Sequence, residues 1–421
     1  MRVISARSTS LHVYFSVIAL AALGLYWLSA LVLESRDEMY LFGADTPLYM
    51  ELAKGDVFSR IGSNYHLDRV ARFHPVTTAL AVAWMESLSP LTHWVTPQHL
   101  LKAMFAAVGA VGVWAAMSAF AAVIPRRYVM LLGVIYAASL GIWYFASIEE
   151  SKIVTATLTA LYIATYLHLR NRWTMRGAVV LTAILLLACL NEVVAGFLVI
   201  IPVVDTLVRR GWDLRHGRWI AWHGLVAPVA FLFLEGVVNA RLVGVGTDLE
   251  GKSHLSMLVY YVSRSDDFSA TSLYSFLVNW LFFSIAAPTV RTSLAPPAWP
   301  QYTGYFEPTL ANYFSSPVSA GLVGVFGVML VASVLPRYRQ EDAGSLNALL
   351  LALFAYALLR GTFFFVLNPG ECLLFSSGVT LAHILLISIP FTASRLPAKQ
   401  GLLAALAVLL FITNGRFIIG R

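Results

Sequence analysis

The sequence contains few charged residues, and this scarcity excludes most classes of protein. Of its 421 residues only 12% are Asp, Glu, Lys or Arg, whereas soluble domains carry about 25%. Hydrophobic residues make up 59%, and the mean hydropathy is +0.74. This balance excludes an ordinary soluble enzyme, a disordered protein and a coiled coil. It is typical of a helical protein that crosses a membrane several times.

Cysteines and nucleotide-binding motifs are also scarce. The two cysteines, Cys189 and Cys372, both lie in apolar stretches, so neither a disulfide framework nor a cysteine metal site is indicated. The sequence has no Walker A motif, Rossmann fingerprint, His-Glu-x-x-His motif or Gly-x-Ser-x-Gly elbow. The net charge of +7 would suggest a nucleic-acid partner in a soluble protein. Here basic residues are better explained as anchors of cytoplasmic loops, and no nucleic-acid partner is expected.

Long apolar stretches predict an all-α polytopic membrane protein with about 10–12 transmembrane helices, since one span needs about 20 apolar residues. The stretch 177–208 is interrupted by Asn191-Glu192, and we predict two short helices that meet there. Segment 273–290 is apolar but flanked by polar loops, so whether it crosses is left open. The other stretches of sufficient or nearly sufficient length are 11–33, 99–124, 128–148, 153–169, 219–240, 318–335, 346–366, 372–391 and 401–419.

Basic residues predict the orientation, because Lys and Arg accumulate in cytoplasmic loops. All the short basic loops fall on one side if 177–208 crosses twice and 273–290 does not fully cross. We assign that side to the cytoplasm of a bacterial-type inner membrane, with the N-terminus inside. The residues concerned are Arg2, Arg7, Arg126, Arg127, Arg170, Arg172, Arg176, Arg209, Arg210, Arg215, Arg218, Arg337, Arg339, Arg395 and Lys399.

The same orientation places most acidic residues outside. The longest outer loop, 34–97, follows the first span, and its stretches 46–54 and 76–89 have the apolar spacing of helices. We expect both stretches to lie along the membrane surface. The acids predicted in cytoplasmic loops are Asp205, Asp213, Glu341 and Asp342.

Asp45 is the first candidate for chemistry. It precedes Thr46-Pro47, and because proline favours the first helical turn, Asp45 suits the N-cap of a helix. A carboxylate at the boundary of water and membrane also suits a general base that activates a hydroxyl. The two interpretations are compatible, because a capping position holds the carboxylate rigidly.

Glu149-Glu150 is the second acidic candidate, in a very short connection between the predicted third and fourth spans. The connection predicts both carboxylates at the outer membrane surface. They either form the solvated acidic start of the fourth helix or take part in transfer to an acceptor. In the second case an acid here assists the nucleophile, or holds a divalent cation such as Mg²⁺ or Mn²⁺ together with Asp45.

Basic and intramembrane ionisable residues are the candidates for binding a substrate. Arg72 and His74 could bind phosphate oxygens, although an arginine that anchors the loop at the interface explains the same pattern. An ionisable side chain inside a bilayer is costly and therefore a functional candidate. Arg360 would face a lipid phosphate, snorkel to the interface or pair with Glu371.

Two further polar residues lie in apolar stretches. Glu192, at the predicted break between the paired helices, suits a contact with a sugar or hydroxyl, or only a turn between antiparallel helices. His383 lies in the middle of a predicted span, where we expect a neutral, hydrogen-bonded side chain.

In their order along the chain these features resemble the class C membrane glycosyltransferases, which include the protein O-mannosyltransferases and aminoarabinose transferases. The motifs cover residues 11 to about 240, and the remainder is similar only in hydropathy. The resemblance rests on one span before a long outer loop, on the paired short helices, and on Asp45, Tyr49, His74-Pro75 and Glu149-Glu150.

The resemblance implies a single membrane domain, with a catalytic module in 1–240 and a more variable module in 241–421. It implies transfer of a sugar from a polyprenyl-phosphate carrier to a hydroxyl of an extracytoplasmic lipid, glycan or protein. Asp45 matches the acid of the first outer loop. Glu149 or Glu150 matches the second acid, with the spacing in favour of Glu150.

This chain departs from the family at two positions. Asn191-Glu192 stands where many members have a basic residue, and Glu371-Cys372 stands where many have an Arg-Tyr pair. These departures leave Arg360, Arg72 and His74 as the candidate phosphate ligands.

Three other functions are compatible with parts of the sequence. A secondary transporter or lipid flippase would need broken helices in both halves, and only one break is clear. A membrane O-acyltransferase would use His383, but no second group is tied to it in the sequence. A subunit without catalysis is the third alternative.

Overall fold

The computed structural model describes residues 4–35, 46–171, 173–211, 214–238, 270–288, 310–334, 343–367 and 372–419. Within these ranges the chain is helical and contains no strand, which confirms the all-α class. Five of the described helices are long and apolar enough to cross a membrane, and a bent pair makes a sixth. The larger number of 10–12 spans stays a prediction.

The helices are labelled in chain order. The first half contains α1 (Ile4–Ser35), α2 (Thr46–Met50), α3 (Val57–Arg60), α4 (Tyr65–Phe73), α5 (Pro75–Ser87), α6 (Pro97–Val123), α7 (Arg126–Ala138), α8 (Leu140–Ala146), α9 (Lys152–Leu169), α10 (Met175–Asn191) and α11 (Ile200–Arg210). The second half contains α12 (Leu214–Phe233), α13 (Ala270–Leu277), α14 (Leu310–Phe314), α15 (Pro317–Val334), α16 (Ala343–Leu367), α17 (Cys372–Ser376), α18 (Thr380–Ala393) and α19 (Lys399–Ile419). Short 3₁₀ segments are Glu51–Lys54, Ser89–His93, Val193–Val199 and Ser377–Val379.

The first loop folds into short helices, as its apolar spacing predicted. Stretch 46–54 forms α2 and the 3₁₀ turn after it, and stretch 76–89 forms most of α5. Between them, α4 begins where the Asn64 side chain accepts hydrogen bonds from two backbone N–H groups, at 3.0 and 3.2 Å, as an N-cap does. Leu67 and Val70 of α4 are buried, so this part of the loop packs against protein.

The predicted break at Asn191-Glu192 is confirmed. Helix α10 ends at Asn191, Glu192 is extended, and the chain returns through a 3₁₀ segment into α11. The Asn191 side chain accepts from the backbone N–H and hydroxyl of Thr77, at 3.0 and 2.7 Å, and donates to Thr155 at 3.0 Å. Polar groups at an interrupted helix need partners inside the protein. Asn191 finds them in Thr77 of α5 and Thr155 of α9.

A second break separates α7 from α8, which are bent by 58°. The N–H of Leu140 donates to the carbonyl of Ile285 at 3.0 Å. The Asn414 side chain donates to the carbonyls of Ala138 and Ile285, at 2.6 and 2.8 Å. Residues from both predicted modules therefore close this break together, and residues 284–287 are buried beside it.

The core joins the first helix to the last. Trp143 of α8 is fully buried, its indole N–H donates to the Ser29 hydroxyl of α1 at 2.9 Å, and its ring lies 5.2 Å from that of Phe411 in α19. A buried tryptophan usually pairs its N–H in this way.

The loop ends of several helices meet at one end of the bundle. The Ser118 hydroxyl of α6 lies 2.9 Å from a ring nitrogen of His168 near the end of α9, and Arg209 of α11 donates to the Asn171 side chain at 3.1 Å. We call this the basic end. It carries Arg126, Arg127, Arg170, Arg209 and Arg210. Which side of the membrane it faces stays a prediction.

Asp205 corrects one sequence-based expectation, which placed this residue in a cytoplasmic loop. It lies inside α11 and is fully buried. Its carboxylate accepts two hydrogen bonds from Arg170, at 2.7 and 2.6 Å, and one from the Tyr166 hydroxyl. The Arg209 guanidinium lies 3.2 Å away. A buried carboxylate with this many charged donors holds the ends of α9 and α11 together.

Substitutions at two glycines can test how closely α1, α6 and α8 pack. A Cβ on Gly109 of α6 would lie 2.6 Å from the Cβ of Ala146 and 3.1 Å from the Tyr26 ring, whereas a Cβ on Gly24 would meet nothing within 4 Å. We expect Gly109→Ala to lower the free energy of unfolding by about 1–3 kcal/mol, through overpacking. Gly24→Ala is the matched control and should be neutral or stabilising. Thermal unfolding in detergent measures both, and equal melting temperatures would contradict this packing.

Candidate functional site

Three charged side chains meet near the break at Glu192, and we call them the ionic site. Arg360 of α16 binds Glu192 with an Nη2–Oε1 distance of 2.7 Å. Lys152, at the start of α9, interacts electrostatically with the same carboxylate. All three are buried, so Arg360 does not snorkel to the membrane interface. The partner seen for Arg360 is Glu192, while Glu371 lies outside the described residues.

Two stacked rings lie against the two cations of the ionic site. Phe364 and Phe375 are parallel within 10°, with ring centroids 4.1 Å apart. The Arg360 guanidinium lies 5.1 Å from the centroid of Phe364, and the Lys152 ammonium lies 4.6 Å from that of Phe375. Cation–π contacts of this length stabilise a cation without neutralising it.

The ionic site has unused hydrogen-bonding capacity. Arg360 Nε and Nη1 and Glu192 Oε2 are buried without a hydrogen-bond partner in the described structure. Buried polar atoms are rarely left unpaired in proteins, so these atoms point to a ligand or ordered water. Gly378 packs directly on the guanidinium, because a Cβ there would lie 2.8 Å from Arg360 Nη2. The Tyr356 hydroxyl fixes this glycine through its carbonyl, at 3.0 Å.

The first loop reaches the ionic site through His74. Its Nδ1 donates to the carbonyl of Asn191 at 2.6 Å, and the Tyr49 ring lies 6.2 Å from its ring. Burial, with the Lys152 charge as a smaller cause, lowers the pKa of His74 to about 3. His74 is therefore neutral near pH 7 and lacks the positive charge expected of a phosphate ligand. It attaches the first loop to the hairpin formed by α10, the 3₁₀ segment and α11.

Glu149 and Glu150 are buried within the protein, so the alternative of a solvated turn is wrong. Their location at the level of the outer membrane surface stays a prediction. Neither carboxylate oxygen of Glu149 has a hydrogen-bond partner among the described residues, and burial raises the pKa of this carboxyl to about 7. Glu150 accepts a hydrogen bond from the Ser151 hydroxyl at 3.1 Å. The sequence spacing favoured Glu150 as the second acid of the site. The carboxyl whose oxygens have no hydrogen-bond partner among the described residues is that of Glu149.

Lys102 is the cation nearest to Glu149. Its ammonium lies 3.9 Å from Glu149 and 2.6 Å from Glu34, and Glu34 also lies 3.2 Å from a ring nitrogen of His99. One lysine therefore faces two carboxylates here.

Sequence reasoning missed Lys102 and Lys152. Both lie at the edges of apolar stretches and are buried. The rule that an intramembrane ionisable group is a functional candidate was applied to Arg360 and would have found both lysines too.

The other candidates do not join the ionic site in the described structure. The Arg72 guanidinium lies over the ring of Phe73, at 5.4 Å. Asp45 lies outside the described residues, although the buried Thr46 and Tyr49 follow it directly. His383 is buried, and neither of its ring nitrogens has a hydrogen-bond partner among the described residues, so the expected hydrogen bond stays a prediction.

The described residues do not by themselves form a site for a divalent cation. Among the described residues no group of three or more His, Cys, Asp or Glu side chains converges. Of the two predicted ligands, Asp45 lies outside those residues, and Glu150 is already bonded to Ser151. No step of the mechanism below is therefore assigned to a metal.

No protein-family model matches the sequence, and no characterised protein matches it significantly. The resemblance to the class C glycosyltransferases therefore rests on the residue patterns given above. The function has to be argued from the ionic site and its surroundings.

The neutral His74 predicts how stability depends on pH. The pKa of His74 is about 3 in the folded protein and 6.5 ordinarily. Below pH 6.5 the imidazole is therefore protonated in the unfolded chain but stays neutral in the folded protein. Stability should therefore fall as the pH drops from 7.5 to 5.5. We expect His74→Gln, which keeps a donor for Asn191, to show a smaller fall in melting temperature.

His93 provides the matched control, because it is exposed. His93→Gln should show the same fall as the unsubstituted protein. An equal fall in His74→Gln would contradict the assignment of a buried, neutral imidazole.

Proposed function

We propose that this protein is an integral-membrane glycosyltransferase of the class C type, with 10–12 spans and a long first outer loop. It moves a sugar from a polyprenyl-phosphate carrier to a hydroxyl of a lipid, glycan or protein outside the inner membrane. The observation that carries the proposal is the ionic site. There a buried guanidinium, two of whose nitrogens have no hydrogen-bond partner among the described residues, lies beside a second cation.

The phosphate of the donor suits this pair of cations. An arginine with two free N–H directions forms paired hydrogen bonds to phosphate oxygens, and Lys152 adds a second positive charge. Negative charge grows on the phosphate as the bond to the sugar breaks. Cations that are already in place in a buried site stabilise that charge with little rearrangement.

The first loop supplies the acid that activates the acceptor. Thr46 and Tyr49 are buried, and the Tyr49 ring lies near His74, which is bonded to the hairpin beside Glu192. The chain that follows Asp45 therefore packs beside the ionic site. In the proposed reaction Asp45 takes the proton of the acceptor hydroxyl, whose oxygen attacks the anomeric carbon as the polyprenyl phosphate leaves. One displacement inverts the anomeric configuration.

The second acidic pair serves the acceptor. Glu149 has a pKa near 7 because of burial, so it exchanges a proton easily near neutral pH. Its two carboxyl oxygens have no hydrogen-bond partner among the described residues, so they can accept hydrogen bonds from hydroxyl groups of the acceptor or sugar. Glu150 holds this connection through Ser151.

Substitution of the acids tests the proposal. We expect Asp45→Asn, Glu149→Gln and Glu150→Gln each to lower transfer by about 100-fold or more, the usual effect of losing a general base or its support. The measurement is release of polyprenyl phosphate from a panel of synthetic polyprenyl-phosphate sugars in proteoliposomes. Asp56→Asn, an exposed acid of the same loop, is the matched control and should retain activity.

Two outcomes would contradict sugar transfer. One is full activity in all three variants with unchanged melting temperatures. The other is loss of activity in His383→Ala while Asp45→Asn remains active, because that pattern fits a membrane O-acyltransferase. Uptake or lipid translocation without sugar release would favour the transporter or flippase.

A further inference from the structure

The charge of the ionic site can be counted. Among the described residues Lys152 and Arg360 are positive and Glu192 is negative, which leaves a net charge of +1 for this part of the chain. His74 adds none, because its pKa is about 3. No described carboxylate oxygen lies within 4 Å of the Lys152 ammonium, whereas Arg360 has Glu192.

The aromatic stack explains why the two cations can remain in one buried site. Phe364 and Phe375 lie against Arg360 and Lys152, at 5.1 and 4.6 Å, and their faces attract cations through the ring quadrupole. A carboxylate in the same place would cancel the charge. The rings hold both cations and leave the excess positive charge available to a ligand.

We propose that Glu192 determines the charge of the ligand, so that the site binds a phosphodiester with one negative charge and rejects a diphosphate linkage with two. The ligand is the donor of the proposed function, and the inference rests on that function for its identity. Glu192 is then a specificity-determining residue, and Lys152 belongs to the binding site.

Burial is what turns the charge count into selectivity. At an exposed site a more negative ligand binds a positive site more tightly, and water screens any excess. In a buried site an uncompensated charge is costly, because nothing replaces its hydration. One negative charge neutralises the ionic site, whereas a second stays without a partner.

A matched pair of lipids measures this selectivity without any sugar transfer. Farnesyl methyl phosphate carries one negative charge, and the corresponding farnesyl methyl diphosphate carries two. We expect the purified full chain in detergent to bind the first at least tenfold more tightly at pH 7.5, by isothermal titration.

Charge variants should move this preference in a defined order. Glu192→Gln raises the site to +2 and should reverse the preference. Glu192→Gln combined with Lys152→Gln restores +1 and should restore the original preference. Lys152→Gln alone leaves no net charge and should weaken the monophosphate probe at least tenfold. Phe375→Leu changes no charge, so it should weaken both probes and leave their ratio unchanged.

The outcomes separate this proposal from the proposed function. An unchanged preference in Glu192→Gln overturns it, and so does failure of the unsubstituted protein to bind either probe. If Glu192→Gln does not fold, Lys152→Gln and the double variant decide. Normal charge selection in a protein that releases no polyprenyl phosphate would refute sugar transfer and leave the charge selection standing.

Discussion

The ion pair between Arg360 and Glu192 is the contact on which the described site depends. Both side chains are buried in a chain that carries few charges, and a buried charge persists only when another charge and hydrogen bonds compensate it. Glu192 lies at the hairpin break, next to Asn191, which holds His74 of the first loop. One ion pair therefore links the first loop, the hairpin and α16.

Helix α9 connects this pair to the opposite end of the bundle. It begins with Lys152 at the ionic site, and Arg170 follows its last residue at the basic end, where it binds Asp205 and the carbonyl of Ser345 in the first turn of α16. Helix α16 is thus fixed near both ends, by Arg170 and through Arg360. Rotation of α16 about its axis would move Arg360 away from Glu192. Attachment at two points restricts that rotation.

The local features of this fold could be predicted from sequence, while the site could be predicted only in part. Helices 46–54 and 76–89 and the break at Asn191-Glu192 follow from spacing, prolines and polar interruptions, which act over a few residues. The pairing of Arg360 with Glu192 joins residues 168 positions apart, and no local pattern encodes it. The burial of Glu149 likewise depends on Lys102 of α6, which sequence reasoning left unassigned.

One short segment joins the carboxyl of Glu149 to the positively charged ionic site. Glu149 lies 3.9 Å from the Lys102 ammonium and has a pKa raised to about 7 by burial, while Lys152 belongs to the ionic site. Because three peptide units join them, their α-carbons lie at most about 11 Å apart, which is comparable to a sugar phosphate. A ligand held across this segment has a proton acceptor near one end and cations near the other. That polarity suits a reaction in which a hydroxyl loses its proton while a phosphate leaves with its charge.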